Sequence, residues 1–145
     1  IRFDGGCIYE GYYCDIAKTV VMGQPSEKAK KYFSAVLKGA LNAVSQVKPG
    51  VEASKIFLTA LTGVRKEGIS HYRRHHCGHG IGLECYETPI INDREHTILE
   101  EGMVINVETP YYEIGFGGVQ VEETILVTRS GSLFLSTPTN TLLTL

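Results

Sequence analysis

Two stretches of β-forming residues enclose a central region with helical periodicity, and this order constrains the fold most. Residues 1–22 are rich in Ile, Val, Tyr and Phe and are broken at glycines, which predicts two strands joined by a tight turn. Residues 104–128 predict two more strands linked through 115–118, and LFLS at 133–136 predicts a last one. The predicted fold class is therefore α+β, with an antiparallel sheet and helices on one face.

The central region predicts two helices followed by irregular chain. The first begins in GQPSEKAKKYF, with Pro25 in its first turn, and ends at the KPG of 48–50, because apolar residues recur every three or four positions between them. The second runs from about Glu52 to Arg65. Residues 71–86 are expected to be irregular with short extended parts, and TPIINDREHTILEEGM, which follows, is expected to be a loop.

Composition narrows the class of protein. The chain has 145 residues, enough for one domain, and its net charge of −2 argues against a nucleic-acid partner. No apolar run reaches the roughly 18 residues of a membrane helix, so no membrane partner is expected. The four cysteines form no CxxC motif, and we expect reduced thiols and a cytoplasmic location. The strand-like start at Ile1 indicates a piece of a longer protein.

Acidic residues pair across both predicted hairpins. If the first hairpin turns at Tyr9-Glu10, Asp4 faces Asp15. If Gly115 is the centre of the second turn, Glu108 faces Glu122. Facing carboxylates repel each other unless a cation lies between them, so the two pairs predict a polyacidic cage. Since Glu122 and Glu123 are adjacent, one of the two is expected to point outward.

The stretch HHCGHGIGLECYE at residues 75–87 supplies the remaining candidate ligand. His79 lies between Gly78 and Gly80, and glycines allow the backbone to approach a site closely. Four carboxylates and one imidazole suit Mn²⁺, Fe²⁺, Co²⁺ or Zn²⁺, and bridging carboxylates would hold two such ions about 3.5–4 Å apart. The other residues of the stretch, His76 and Cys77, are expected to be structural.

Four segments of the chain together resemble a known family. They are DGGCIYEGYYCDIAKT, GHGIG, GMVINVETP and GGVQVEETILVT, which run in this order from Asp4 to Thr128. The set resembles the pita-bread metallopeptidases, which include methionine aminopeptidase, aminopeptidase P and prolidase. The sequences GMVINVETP and ILVT are most similar to the corresponding segments of the proline-specific branch.

The resemblance implies a fold, a reaction and its cofactors. The fold would be pita-bread, with residues 1–145 forming the C-terminal, larger part of one catalytic domain whose N-terminal part is absent, so that the chain alone would be inactive. The activity would be that of an aminopeptidase or dipeptidase that cleaves after an N-terminal residue, most often ahead of proline. Two divalent ions (Mn, Co, Zn or Fe) would be required, and relatives of the proline-specific branch are often homodimers.

The resemblance also implies a role for each site residue. Asp4 would chelate one metal, Asp15 and Glu122 would bridge both, and His79 and Glu108 would hold the other. A metal-bridging hydroxide would attack the scissile carbonyl, with Glu108 as proton acceptor. His75, four residues before His79, would contact the substrate.

Three positions depart from the family pattern. Tyr86 stands where the family usually has a histidine that contacts the substrate and donates a proton, and tyrosine can still donate a hydrogen bond there. Gln120 stands where the proline-specific enzymes usually have arginine, and DIAKT replaces DxTRT. We count His75, Tyr86 and Gln120 as substrate-binding candidates, with Glu108, His75 and Tyr86 as the catalytic set.

Two other functions remain open from the sequence. Tyr86 and Gln120 are compatible with the same metal site acting on a small non-peptide metabolite, as an amidohydrolase or lyase. A non-catalytic peptide-binding module on the same fold is the second alternative, and the five intact candidate ligands argue against it.

Overall fold

Strands β5 (Val104–Glu108) and β8 (Glu122–Thr128) alternate apolar and polar side chains, and this alternation defines the two faces of the sheet. The apolar set joins the main hydrophobic core on one face: Ile105, Val107, Ile125 and Val127. The polar set occupies the other face and is also buried: Asn106, Glu108, Glu122 and Thr124. One face is therefore a packing surface and the other is a buried polar surface.

The computed structural model describes all 145 residues. Its other elements, in chain order, are β1 (Arg2–Tyr9), β2 (Tyr12–Val21), α1 (Glu27–Val44), α2 (Ala53–Lys66), β3 (Gly78–Gly80), β4 (Glu87–Ile90), β6 (Tyr111–Glu113), β7 (Gly117–Val119), β9 (Gly131–Phe134) and β10 (Leu143–Thr144). The main sheet has the order β1-β2-β8-β5-β3-β4, with β9 beside β8 and β10 beside β2. Only the β10–β2 pair is parallel, and β6 and β7 form a separate hairpin. The predicted α+β class is confirmed.

The two helices cover the apolar face of the sheet. They pack closely because each has a glycine at the crossing: a Cβ on Gly39 would lie 2.3 Å from Val64 Cγ2, and one on Gly63 would lie 2.9 Å from the Gly39 Cα. Phe57 and Val44 reach the strands as part of the main core. Burial of these apolar stripes contributes about 25 cal/mol per Å² removed from water. Neither helix combines the length and the apolar character that crossing a bilayer requires.

The first hairpin differs from the predicted register by two residues. The turn is at Glu10-Gly11, both with positive φ (50° and 87°), as in the two-residue turns that match strand twist. Asp4 therefore faces Ala17, and Asp15 faces Gly6, so the predicted direct Asp4–Asp15 pair is wrong. A shift of two residues keeps every side chain on its face, so the two carboxylates remain on the same side of the hairpin.

The second pair has the predicted register. Glu108 faces Glu122, and the small β6–β7 hairpin continues the same register to the turn around Gly115. The expected outward glutamate is wrong, since Glu122 and Glu123 are both buried. Glu123 points to the opposite side from Glu122, where its carboxylate pairs with the Lys18 ammonium at 3.2 Å.

Two local predictions also need correction. Pro25 precedes the N-cap of α1 and is not in its first turn, because the Ser26 side chain caps the helix by accepting from the Ala29 N–H. Part of the expected loop is strand β4, which pairs with β3. Four residues carry too little periodicity to predict a strand whose only support is pairing with a distant segment.

Candidate metal centre

Three strands deliver one ligand each to a common point on the polar face. Asp15 lies on β2, His79 on β3 and Glu122 on β8, and their ligand atoms all lie within 4.8 Å of one another. His79 and Glu122 are buried and Asp15 is half-buried. The structure therefore brings together three of the five residues that the sequence predicts as metal ligands.

The His79 ring has a fixed orientation and one unpartnered nitrogen. Its Nδ1 lies 2.9 Å from the Gly80 carbonyl oxygen, so Nδ1 carries the proton and donates to that oxygen. Nε2 is then left with a lone pair, makes no hydrogen bond and lies 3.9 Å from Asp15 Oδ2. A buried lone pair beside carboxylates is unfavourable until a cation accepts it. The donor set therefore fits a divalent metal ion.

Glycines beside His79 allow strand β3 to fit between its neighbours. A Cβ on Gly78, where φ is +140°, would lie 1.9 Å from the Asn106 carbonyl oxygen, and one on Gly80 would lie 2.5 Å from that of Thr88. No other residue type could occupy these positions without moving the strands. The glycines therefore allow β3 to pack closely against its neighbouring strands.

Glu108 and Glu122 face each other and share a donor. Gln120 Nε2 donates to Glu108 Oε2 at 3.3 Å and to Glu122 Oε2 at 3.2 Å. Burial raises the pKa of Glu108 to about 7, and burial together with the nearby carboxylates raises the pKa of Glu122 to about 8. Near neutral pH the metal-free pair therefore holds protons that a cation would displace.

Asp4 lies at the border of the cluster. Its carboxylate is 2.5 Å from the Arg2 guanidinium, and its charge contributes to the raised pKa values of Glu108 and Glu122. Its oxygen atoms lie outside the group of three that converge within 4.8 Å. Asp4 thus lies on the same face of the sheet as the cluster, but its carboxylate is already paired with the Arg2 guanidinium.

Asn106 is a site residue that sequence reasoning missed. Its Nδ2 donates to the Asp15 carbonyl oxygen at 3.0 Å and to Glu122 Oε1 at 3.1 Å, which ties two strands of the cluster together. The sequence contains a signal for it, because an asparagine two residues before Glu108 lies on the same face of an otherwise apolar strand.

The histidine beside the cluster is His76, for which the sequence analysis predicted a structural role. His76 Nδ1 lies 3.2 Å from Glu108 Oε1, although not in hydrogen-bonding geometry. Burial, with Arg74 and His79 nearby, lowers the pKa of His76, so its ring is neutral near pH 7. His75, the predicted substrate-side histidine, is exposed, and no hydrogen bond or ion pair joins it to the cluster.

Tyr86 covers one face of the His79 ring. Its ring stacks on His79 with centroids 3.7 Å apart and planes 19° apart, and it meets His76 edge-on. Burial and the carboxylates of Glu108, Glu122 and Asp15 raise the pKa of Tyr86 to about 12. The phenol therefore remains a hydrogen-bond donor at the edge of the site across the physiological range.

The antiparallel sheet holds a carboxylate–histidine cluster with the donor set of a divalent metal site. The model of Metallopeptidase family M24 matches residues 1–129, and the chain belongs to this family. The chain is 39% identical over 132 residues to a Xaa-Pro dipeptidase of Pyrococcus horikoshii, covering 91% of this chain and 38% of that protein.

Solved structures agree with this assignment and show the pita-bread fold. The prolidase from Pyrococcus furiosus is 37% identical with a TM-score of 0.91, over 96% of this chain and 41% of that one. Dipeptidase PepE from Mycobacterium ulcerans is 33% identical with a TM-score of 0.94, over 99% of this chain and 39% of that one. The chain therefore spans about two fifths of the length of the relatives it matches.

Proposed function

We propose that this chain carries the metal-binding part of a dinuclear metallopeptidase that hydrolyses the peptide bond after an N-terminal residue, most often before proline. The observation that carries the proposal is the buried His79 Nε2 lone pair, which faces Asp15 and Glu122 without a partner. The names of the relatives, Xaa-Pro dipeptidase and prolidase, support the choice of substrate.

Five side chains would hold the two ions: Asp4, Asp15, His79, Glu108 and Glu122. Bound divalent ions would polarise the scissile carbonyl and activate the attacking water. Mn, Co, Zn and Fe all suit this oxygen-rich donor set with one imidazole. For Asp4 to serve, its carboxylate would have to exchange the Arg2 guanidinium for a metal.

The protein groups around the ions would move and hold protons. Glu108 would accept a proton at Oε1, because Oε2 already accepts from Gln120. The neutral His76 ring lies beside that oxygen, with its Nδ1 3.2 Å from Oε1. The Tyr86 hydroxyl would donate a hydrogen bond to the oxygen of the attacked carbonyl or to the leaving group. His75 would contribute to substrate binding only if its exposed ring moved toward the cluster.

A second candidate is the same metal site acting on a small non-peptide metabolite. Tyr86 and Gln120 favour it, because they replace residues that the proline-specific branch usually has. A third, a non-catalytic peptide-binding module, would require the cluster to bind no metal. Metal content separates the third from the first two, and a substrate panel separates the first from the second.

The deciding experiment uses the natural full-length protein loaded with Mn²⁺. We expect close to two manganese ions per chain by elemental analysis, and hydrolysis of alanyl-proline that a chelator abolishes and Mn²⁺ restores. Bound metal without turnover of any Xaa-Pro dipeptide would favour an enzyme that acts on a small non-peptide metabolite. If no metal binds, both enzymatic functions are refuted. Residues 1–145 alone, assayed in parallel, are expected to be inactive.

A further inference from the structure

Two buried imidazole nitrogens beside the carboxylate cluster have no partner, and only one of them belongs to a residue with an assigned role in metal binding. His79 Nε2 is the first, and His76 Nδ1 is the second. The His76 nitrogen lies 3.2 Å from Glu108 Oε1, whereas the hydrogen bond from Gln120 goes to the other oxygen, Oε2. A buried nitrogen and a carboxylate oxygen that has no donor therefore face each other.

The contact between His76 and Glu108 lacks the geometry of a hydrogen bond, although the two atoms are close enough for one. Two atoms that bind one ion at about 2.1 Å, with an angle of about 90–110° at the metal, lie about 3.0–3.4 Å apart. The observed separation of 3.2 Å falls in this range. One cation could therefore accept both lone pairs, which repel each other without it.

The rest of the His76 ring is placed as a ligand requires. Its Nε2 is accessible to solvent and can carry the ring proton, which leaves the Nδ1 lone pair free. Its centre lies 6.5 Å from the centre of the His79 ring. Because a ring centre is about 3.2 Å from a metal bound to its nitrogen, one ion between the two rings could reach both.

Tyr86 orients both imidazoles. Its ring stacks on His79 and meets His76 edge-on, with planes 84° apart. The resembling family usually has a histidine at position 86, and this chain has a phenol there, which is not a ligand of choice for these ions. A second imidazole beside the cluster comes instead from His76, on the chain that leads into β3.

We propose that His76 is a sixth metal ligand, which binds through Nδ1 the ion that Glu108 and His79 hold. The inference rests on the proposed metal centre and adds a preference among ions. A second imidazole favours Co²⁺ and Zn²⁺ over Mn²⁺, because Mn²⁺ gains least from nitrogen ligands.

The test measures Co²⁺ and Mn²⁺ binding to the natural full-length protein by equilibrium dialysis with elemental analysis. His76→Phe keeps a ring to pack against Tyr86 but has no nitrogen. It lowers the Co²⁺ affinity of one of the two positions by at least about tenfold, and lowers the Mn²⁺ affinity less. His75→Phe, at the exposed neighbouring histidine, leaves both affinities unchanged.

X-ray absorption of the Co²⁺-loaded protein counts the imidazole ligands without any assay of turnover. The wild type shows the ring scattering of two coordinated imidazoles per chain, and His76→Phe shows that of one, from His79. Thermal denaturation in chelator checks that each variant is folded. If His76→Phe is not folded, His76→Asn, which is smaller and also lacks the ring, is measured in its place.

Each result decides a separate question. Equal Co²⁺ affinity and equal imidazole scattering in the wild type and His76→Phe overturn the ligand role and leave the proposed hydrolysis intact. A weaker affinity with unchanged scattering overturns it as well, because His76 would then act only through packing, and so does a loss of scattering in His75→Phe alone. Two ions and two imidazoles without hydrolysis of any Xaa-Pro dipeptide support His76 as a ligand and refute the peptidase function. A wild type that binds no ion refutes both.

Discussion

His79 is the residue whose environment is hardest to explain without a cation. It is fully buried, its Nδ1 proton is committed to the Gly80 carbonyl, and Tyr86 closes one face of its ring. The remaining nitrogen faces the Asp15 carboxylate. Every group around the ring therefore fixes its orientation, which is what a preorganised metal ligand requires.

Asp15→Asn is expected to weaken Mn²⁺ binding by at least about tenfold, because the change removes a charge that is close to both His79 and Glu122. Metal bound per chain at increasing Mn²⁺ concentration gives the measurement. Asp93→Asn, at an exposed aspartate, is the matched control and should bind like the wild type. Full occupancy in Asp15→Asn would rule out the assignment of Asp15 as a bridge.

At the scale of single elements, the β1–β2 hairpin decides where Asp4 and Asp15 lie. Its register places Cys7 directly opposite Cys14, with the two sulfur atoms 3.4 Å apart and both residues exposed. The register expected from a turn at Tyr9-Glu10 would instead place Cys7 opposite Tyr12. The two registers are therefore distinguishable by chemistry at the cysteines.

Treatment with diamide, a thiol oxidant, is expected to join Cys7 and Cys14 in a disulfide within one chain, with loss of two hydrogens. Peptide mapping by mass spectrometry identifies the pair. Cys77 should remain reduced because it is buried, and Cys14→Ser should abolish the product. If Cys7 instead reacts only between chains, the observed register would be contradicted.

A second element-scale contact joins β2 to the chain after β9. The Glu123 carboxylate is fully buried and is held by the Lys18 ammonium at 3.2 Å, the Thr139 N–H at 2.7 Å and the Ser136 hydroxyl at 3.2 Å. Removing the cation would leave a buried charge with only neutral donors, which is costly. This pair holds β2 beside β8 on the side of the sheet opposite Asp15 and Glu122.

Lys18→Met is expected to lower the free energy of unfolding by about 1–3 kcal/mol, less than for a fully buried pair because the lysine side chain is 24% exposed. Urea denaturation gives the value. Lys30→Met, which breaks the exposed pair with Glu27, should change it by less than about 0.5 kcal/mol. Equal effects of the two changes would show that the buried pair is not a specific anchor.

At the scale of the whole molecule, metal binding and stability are linked through the buried carboxyl pair. The folded pKa values of Glu108 and Glu122, about 7 and about 8, lie above the ordinary value of 4.5. The folded metal-free protein therefore holds more protons than the unfolded chain in between. The stability that this contributes is complete below about pH 4.5 and is lost as the pH rises through 7 to 8.

The unfolding temperature of the metal-free protein should accordingly fall between about pH 5 and pH 8, measured by thermal denaturation in chelator. The increase caused by saturating Mn²⁺ should grow over the same interval, because the ions compete with protons for the same oxygen atoms. Glu122→Gln is expected to flatten the fall in the metal-free protein. An unfolding temperature that rises toward pH 8 without metal would contradict the raised pKa values.

Much of the fold and of the candidate site could be predicted from strand alternation and from the family motifs. The pairing of Glu108 with Glu122 followed because one symmetric turn around Gly115 fixes the register along both strands. The first hairpin was predicted with its turn at Tyr9-Glu10, whereas the two-residue turn with positive φ lies at Glu10-Gly11, where Gly11 takes this conformation without strain. The sheet face predicted for each carboxylate was nevertheless correct, because the predicted and observed registers differ by an even number of residues.

The sequence by itself determined the helix pair, the long strands and the residue types that can bind a metal, because these depend on local periodicity and ligand chemistry. Only the tertiary structure decided which histidine lies beside Glu108, that Glu123 is buried with Lys18, and that Arg2 reaches Gln120. His75 and His76 are neighbours in the sequence, but the path of the chain into β3 exposes one and places the other at the site. Such contacts join segments far apart in the chain, and their geometry is set by how the strands pack together.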